Sequence, residues 1–403
     1  MTSENAVLAI ENTPRPAPPA APCGFALWRL GFRPFYLAAS LLAALSVPLW
    51  AVEYAGLLPT PYVRAPVWHA HEMLFGFALA VVTGFLFTAV RNWTQRPTPT
   101  GAPLAALVLL WLAARVLVLT PYAAAAAAVN IAFPIAVAIG IGVPLVRSGN
   151  RRNYFFVAIL LAIAAAALAF HLAQMDVIAW PARASLQVAL DVLLFVIAVM
   201  GGRVIPMFTN NGVPGAGAAR TPQVERFALG SVLALIAADL VDAPAALVVT
   251  LAVAAALAHG ARLALWRPWR TRRVPMVWVL HAAYAWIVVY LLLRALAAAG
   301  LVAAPLATHA LTIGAIGGMT IGMMTRTARG HTGRRLVADR AEVAAYALVQ
   351  LGAIVRVGGG LIGDTLYLPS VVIAALAWSA AFAIYAVRYW PVLSRPRADG
   401  RPD

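Results

Sequence analysis

The sequence predicts an all-α polytopic membrane protein, with about twelve transmembrane helices in one bundle and both termini in the cytoplasm. Two observations lead to this fold class. Hydrophobic residues make up 63% of the 403 residues and charged residues only 11%, far from their shares in ordinary soluble domains. Apolar runs long enough to cross a bilayer follow one another along almost the whole chain. The lipid bilayer is therefore the expected partner of most of the surface.

Twelve apolar runs are predicted to be helical spans, because a bilayer core needs about 20 residues of helix. The seventh and eighth runs give the weakest signal. The runs cover about residues 35–55, 67–90, 103–119, 122–146, 154–175, 184–202, 227–240, 243–261, 277–299, 306–325, 342–362 and 369–390.

Arginine placement predicts the orientation. The chain has thirty arginines and no lysine. With alternating spans, twenty-five fall on the side of the N-terminus, only Arg64 and Arg183 fall on the other, and three lie inside spans. By the positive-inside rule the N-terminal side is the cytoplasm, and an even span count returns the C-terminus to it. The net charge of +16 is thus explained by arginines that orient the chain in the membrane and face its lipids, and no nucleic-acid partner is expected.

Three segments are expected: a disordered cytoplasmic tail (1–30), the membrane domain (31–390) and a short cytoplasmic C-terminal tail (391–403). The first 24 residues contain Glu4, Glu11 and several prolines but no basic head or apolar run, so they do not resemble a signal peptide. The single cysteine excludes an internal disulfide framework, and no C-x-x-C-H motif for covalent haem attachment occurs.

The first two spans carry distinctive motifs. GFRPF leads into the first span, where Arg33 suits the headgroup region and Pro34 suits the first helical turn. The second span begins WHAHEMLFGF and includes His69, His71 and Glu72. The two histidines are about 200° apart around a regular helix, so either one of them is a ligand or the first turn is unwound.

Spans three to five are rich in alanine and leucine, and Arg115, Asn130 and His171 are their polar exceptions. After the sixth span, GGRVIPMFTNNG leads into the longest loop; Gly201, Gly202 and Pro206 are predicted to end that helix. The polar exceptions discussed below are Arg115, Asn130, His171, Asp191 and Arg294.

The tenth span lies in HALTIGAIGGMTIGMMTRTARGHTGRRL, residues 309–336. Gly314, Gly318 and Gly322 are four residues apart, so one helix face has no side chains. Such a face admits either a neighbouring helix or a flat ligand. His309 and Met323 share a face of this span, and imidazole suits iron while thioether suits Cu(I).

Position along each span converts to depth at about 1.5 Å per residue. Histidine, carboxylate and arginine then collect in the outer third of the bilayer, where charges usually face an interior cavity and mark function. The intramembrane arginines Arg115, Arg294 and Arg356 are candidates for binding haem propionates, for which a planar bidentate donor is suitable. The alternative pairs them with Glu53 or Asp191, or with lipid headgroups.

Read together, GFRPF, WHAHEMLFGF, GFLFTAVRNWT, GGRVIPMFTNNG and the 309–336 motif resemble the NnrS family over residues 31–390. The resemblance implies a twelve-span bacterial inner-membrane protein that contains haem and copper and is associated with the nitric oxide response, without a settled reaction. The matching positions are His69, His71 and Glu72 in one motif and His309 and His331 in the other. One departure is Arg91, which precedes the Asn-Trp pair where the family has proline.

With the resemblance, the expected function is binding of nitric oxide or metal-nitrosyl species, or their turnover with electrons from quinol or a redox partner. His71 and His309 are the leading axial ligands for a non-covalent, b-type haem. His69, Glu72 and Met323 are secondary ligands, for haem iron or copper. Whether the protein is an enzyme stays open.

Two other classes remain. A secondary transporter or metal exporter would use the intramembrane His, Glu, Asp and Arg residues, with Glu72 or Asp191 on the substrate path; the absence of an internal repeat weighs against it. An assembly scaffold for respiratory complexes would carry a stable partner and no ligand.

Overall fold

The computed structural model describes residues 24–57 and 62–402. Within them every regular element is helical, and twelve long helices follow one another. Ten are long and apolar enough to cross a membrane, so the chain is a multi-pass membrane protein. The helices are α1 Phe32–Tyr54, α2 Ala65–Thr94, α3 Gly101–Leu117, α4 Ala123–Arg147, α5 Phe155–Gln174, α6 Ala182–Gly212, α7 Pro222–Leu240, α8 Ala245–Leu265, α9 Pro275–Ala298, α10 Ala304–His331, α11 Arg340–Ile362 and α12 Asp364–Ser394.

Each predicted span coincides with one helix, and the two helices outside the ten are α3, which is short, and α7, which carries Glu225, Arg226 and Asp239. The eighth run, predicted weakly, forms a helix that meets both criteria.

The predicted end of the sixth helix is wrong. α6 continues through Gly201, Gly202 and Pro206 as far as Gly212. The glycines are buried and serve packing: a β-carbon at Gly202 would overlap the Arg262 guanidinium. Turn-forming residue types were therefore overridden by the need for a close helix contact.

The glycine face of α10 packs on α9. β-Carbons at Gly314, Gly318 and Gly322 would each come within 3 Å of an α9 side chain, namely Trp286, Ala283 and Val279. The structure thus favours the helix-packing alternative, since protein side chains already fill the space that a flat ligand on this face would need.

Helices pack mainly on their neighbours in sequence, and α1 packs on α12, which joins the two ends of the chain. The most buried spans are α2, α6 and α10. The two helices that carry the histidine motifs therefore both lie in the interior of the bundle.

The short connections give the bundle two ends. The connections α1–α2, α3–α4 and α5–α6 meet at one end, where Tyr62 N–H donates to Thr120 O over 3.2 Å. We call this the histidine end, because His69, His71, His171 and His309 lie near it. The opposite end, which holds the described parts of both termini, is called the arginine end.

Residues 26–30 belong to the packed domain. Ala26, Leu27 and Leu30 are buried, and Ala26 N–H donates to Ser394 O over 2.7 Å. Arg33 Nη1 donates to the carbonyl oxygens of Leu393 and Arg395 at 2.9 and 2.8 Å. The tail predicted over 1–30 is thus packed from residue 26 onward, and residues 1–23 lie outside the described chain.

A capping box begins α11 at the arginine end. Asp339 accepts from Glu342 N–H over 3.0 Å, and Glu342 Oε2 accepts from Asp339 N–H over 2.7 Å. Arg329 of α10 donates to Glu342 Oε1 over 2.7 Å, and Arg388 of α12 donates to Asp339. Partial burial acts to raise the pKa of Asp339, but the Glu342 N–H and the Arg388 guanidinium outweigh it and hold that pKa below its usual value.

We expect Asp339→Ala to lower the free energy of unfolding by about 1 kcal/mol, because an N-cap acceptor is lost. Asparagine can still cap the helix, and an ion pair with the exposed Arg388 contributes little. Asp339→Asn should therefore unfold close to the wild type in detergent. Equal destabilisation by both variants would show that charge, and not the cap, matters here.

Candidate functional site

Both histidine motifs lead into π-helical segments. In α2 the π-helix covers Glu72–Ala78, immediately after His71. In α10 it covers Ala310–Gly317, immediately after His309. π-Helical segments are rare in proteins overall, but they are frequently found at functional sites. Residue spacing did not predict either segment. A π-helical turn contains one extra residue, and in a helix that is buried on all sides this extra residue does not visibly change the pattern of apolar residues.

His71 and Glu72 form a fully buried polar network with two neighbouring helices. His71 Nδ1 lies 2.9 Å from Glu72 Oε1, and Arg115 Nη1 of α3 donates to the same oxygen over 2.7 Å. Arg115 Nη2 donates to Asn130 Oδ1 of α4, whose amide nitrogen donates to Ala126 O over 2.8 Å. The one carboxylate in this network therefore faces one guanidinium, which compensates its charge in a medium that cannot solvate it.

His171 of α5 joins the network. Its Nε2 lies 3.3 Å from His71 Nε2, and both imidazoles are fully buried. The Tyr62 hydroxyl lies 3.3 Å from His171 Nδ1 and 3.0 Å from the His171 carbonyl oxygen. The sequence marked His171 only as a polar exception in an alanine-rich span; its depth was the available signal, but sequence does not show which helix it faces.

The hydrogen bonds around these rings fix their tautomers. A carboxylate only accepts, so a neutral His71 donates through Nδ1 to Glu72 and accepts at Nε2. His171 must then donate through Nε2, which leaves its Nδ1 as an acceptor facing Tyr62. The single Tyr62 hydroxyl proton is donated to the His171 carbonyl oxygen, and rotation of that O–H would direct it to Nδ1. With that rotation, Tyr62, His171, His71 and Glu72 form a line of groups along which a proton can pass from one to the next.

Packing holds the network in place. Phe75 and Phe170 lie beside His71, with ring centroids 5.0 and 4.9 Å from the imidazole. Gly76 makes room for the guanidinium, because a β-carbon there would be 2.7 Å from Arg115 Nη1. Trp111 donates to Gly76 O over 3.0 Å. The apolar side chains around these polar groups exclude water, and the low local dielectric keeps the electrostatic interactions among the polar groups strong.

His69 and His309 form a second histidine group between α2 and α10. The His69 ring packs on Trp50 with centroids 5.5 Å apart, and its Nδ1 is buried without a hydrogen-bond partner. His309 Nδ1 donates to Pro305 O over 2.6 Å, which leaves the Nε2 lone pair available. The two imidazoles are near enough to interact electrostatically, as are His309 and Arg356.

The three intramembrane arginines have different environments. Arg115 is bound within the His71 network. Arg294 of α9 donates to Asp191 of α6 over 2.9 Å and also to Asp239 of α7. Arg356 donates to the Tyr367 hydroxyl over 3.2 Å, while its buried Nη1 has no hydrogen-bond partner. The structure favours the pairing alternative for Arg294, with Asp191. Buried donors without a partner remain at Arg356 Nη1 and at Arg115 Nε.

Met323 and His331 lie elsewhere. Met323 follows His309 by fourteen residues on α10, which is about 21 Å of helix. Both Met323 and His331 line a cavity at the arginine end. Met323 is therefore separated from His309 and is not its companion ligand, because a shared helix face does not mean a shared depth.

The described residues include no group of three or more His, Cys, Asp or Glu side chains arranged around one metal position. Two imidazoles do converge: the Nε2 atoms of His71 and His171 are 3.3 Å apart. Two metal–nitrogen bonds of about 2.0 Å would need about 4 Å between them. With a modest outward shift of the rings, His71 and His171 would have room to hold a metal ion through their Nε2 atoms.

These features define a multi-pass helical membrane protein with buried imidazole, carboxylate and guanidinium groups at one end of its bundle. The chain belongs to the NnrS protein family, whose family model matches residues 26–397. No curated protein matches the sequence.

Glu72→Ala should destabilise the protein by about 3–5 kcal/mol, because it leaves Arg115 as an uncompensated buried charge. The double variant Glu72→Ala/Arg115→Met removes both charges and should recover part of that loss. Thermal unfolding in detergent measures both effects. A double variant less stable than either single variant would contradict the assignment of the loss to the orphaned charge.

Proposed function

We propose that this protein is a haem- and copper-binding protein of the nitric oxide response in the bacterial inner membrane, and that it binds or turns over nitric oxide or a metal-nitrosyl species at the histidine end. Family membership supports the biological setting. The observation that carries the proposal is the pair of buried Nε2 atoms of His71 and His171, 3.3 Å apart.

The His71–His171 pair suits copper. Imidazole nitrogen is a good copper ligand, and a ligating histidine usually donates its other N–H to a carboxylate or carbonyl that orients the ring. Glu72 has this position at His71 Nδ1, and Arg115 fixes Glu72 in turn. We assign His71 and His171 as copper ligands and Glu72 and Arg115 as the residues that position them.

The second histidine group suits haem. His309 has the same arrangement, with Nδ1–H on the Pro305 carbonyl and Nε2 available. His69 offers the unpartnered Nδ1 and Arg356 an unpartnered Nη1 for a propionate. When bound, haem supplies an iron centre that can bind nitric oxide.

The chain's own residues can also move protons. The line from Tyr62 through His171 and His71 ends at the Glu72 carboxylate. For both Nε2 atoms to hold a metal, a neutral His171 would carry its proton on Nδ1, facing the Tyr62 oxygen, instead of on Nε2. Metal binding at this pair is expected to weaken as the pH falls, because a protonated imidazole has no lone pair to offer.

A secondary transporter or metal exporter is the second candidate. It is favoured by the charge network in which Arg294 contacts Asp191 and Asp239 across three helices, because intramembrane charges often line ion paths. This alternative predicts flux in proteoliposomes that depends on Asp191 or Glu72, with no stoichiometric haem.

The central test is metal and haem content of the purified protein, by elemental analysis and the pyridine haemochrome spectrum. We expect His71→Ala and His171→Ala to lose copper, and His69→Ala and His309→Ala to lose haem, by removing a ligand. His281→Ala is the matched control, because His281 is buried at the arginine end on Thr209 and should leave both contents unchanged. Wild-type protein with neither haem nor copper would refute the proposal and favour the transporter.

We further propose that the histidine end faces the periplasm, because arginine is concentrated at the other end. In a Cys23→Ser background, the exposed Leu301 at the histidine end is replaced, and Leu301→Cys should react with a membrane-impermeant maleimide in intact cells. Arg151→Cys, exposed at the opposite end, should react only after the membrane is opened. The reverse labelling pattern would invert the orientation.

A further inference from the structure

The arginine end contains an open cavity of about 710 Å³ between α2, α6 and α10, lined also by the α4–α5 and α6–α7 connections. It lies at the opposite end of the bundle from the four histidines of the proposed metal sites. Its volume is within the range of small-molecule sites, about 300–1,000 Å³. The metal chemistry proposed above makes no use of it.

The polar wall of the cavity is basic. Arg152, Arg203 and Arg220 line it, and none of the lining residues is an aspartate or glutamate. Arg203 Nη1 donates to the neutral Asn153 side chain over 2.9 Å, and the positive charges of Arg152 and Arg220 act on its guanidinium. Three guanidinium groups that repel one another around an open volume favour an anion in it.

Neighbouring carboxylates do not cancel this charge. Glu225 is 3.0 Å from Arg220, but the same carboxylate is shared with the buried Arg262 at 2.6 Å. Arg203 is held within α6, with its guanidinium 5.3 Å from the Phe155 ring centroid. The position of Arg203 is thus fixed by stacking and by a neutral amide, which leaves its charge uncompensated.

The rest of the wall is apolar and aromatic. Phe85 and Trp93 of α2, Met200 and Phe208 of α6 and Met323 of α10 contribute to it. Trp93 stacks on Phe156 with centroids 5.5 Å apart, so its orientation is fixed. A ligand that fits both walls carries an anionic group and an apolar body.

We propose that this cavity binds a phosphate-bearing amphiphile, with the phosphate on Arg152, Arg203 and Arg220 and the apolar part against Trp93, Phe85 and Met323. A phosphate offers several acceptor oxygens to guanidinium groups, which bind it bidentately. It matches three converging arginines better than a single carboxylate does. The headgroup of an anionic lipid and a free phosphate compound share this chemistry.

The role of arginine in orienting the protein in the membrane does not by itself explain why three arginines line one cavity. Orientation requires only that arginines lie near the headgroups, as the exposed Arg147 and Arg151 do. Arg203 instead lies half-buried in α6 and lines the cavity. The two explanations make different predictions, because a general attraction to headgroups depends on total charge and a site depends on particular arginines.

Native mass spectrometry of the detergent-purified full chain tests the proposal, with phosphatidylglycerol and inorganic pyrophosphate as probes. We expect one bound probe per chain, weakened at least about tenfold in Arg203→Gln, because one charge-assisted contact is lost. Arg203→Lys should recover part of the affinity. Arg147→Gln removes the same charge from the same end and should bind as the wild type does.

Saturable binding of phosphatidylglycerol that pyrophosphate displaces supports the proposal, because both probes then compete for the same arginines. Tighter binding of phosphatidylglycerol indicates a lipid headgroup as the source, and tighter binding of pyrophosphate indicates a free phosphate compound. No saturable binding of either probe overturns it, and so does equal weakening by Arg203→Gln and Arg147→Gln. If Arg203→Gln does not fold, the exposed Arg152→Gln provides the same comparison. The result is independent of metal content, so it can fail while the metal sites stand.

Discussion

The salt bridge between Glu72 and Arg115 is the interaction on which the histidine end depends. An unpaired charge in a low-dielectric interior costs several kcal/mol, so neither residue could be buried without the other. Their pairing fixes the Glu72 carboxylate 2.9 Å from His71 Nδ1, and that contact sets the tautomer of His71 and, through it, of His171. The same constraint explains Arg294, which lies between Asp191 and Asp239. Charge pairing between helices thus places the polar groups, while apolar packing around them excludes water.

Sequence alone predicted the elements well because its signals are local. Apolar length located each helix end to within about six residues except at the C-terminal end of α6, where close packing at Gly202 allowed the helix to continue. The end of the bundle at which each polar group lies was also predictable, since it follows from position along a span. Lateral neighbours were not, because periodicity does not encode which helix a side chain faces. His171 was therefore missed as a partner of His71, and Met323 was grouped with His309 although about 21 Å of helix separates them.

The two π-helical segments show a second limit of sequence reasoning. A π-helix changes the angular relation between residues before and after it. In α2 the segment begins at Glu72, so it changes how the rest of the helix is turned relative to the two histidines. His69 and His71 themselves lie in a regular α-helical turn and are directed to different groups, His71 to His171 and His69 to Trp50, as the regular-helix alternative predicts. Family membership at residues 26–397 links the motifs to one another but does not determine which nitrogen of each imidazole is available.

The imidazole lone pairs that are not used in hydrogen bonds determine where each histidine group could bind a metal. At the His71–His171 pair, one lone pair on His71 Nε2 can accept the proton of His171 or a metal ion, but not both. Occupancy by a metal would therefore interrupt the proton line between Tyr62 and Glu72, and loss of the metal would restore it. At His309 no such competition exists, because the Pro305 carbonyl engages Nδ1 and the hydrogen bonds of the described chain leave Nε2 free. The two histidine groups thus differ: at the His71–His171 pair a ligand on Nε2 competes with a hydrogen bond between the imidazoles, whereas at His309 it does not.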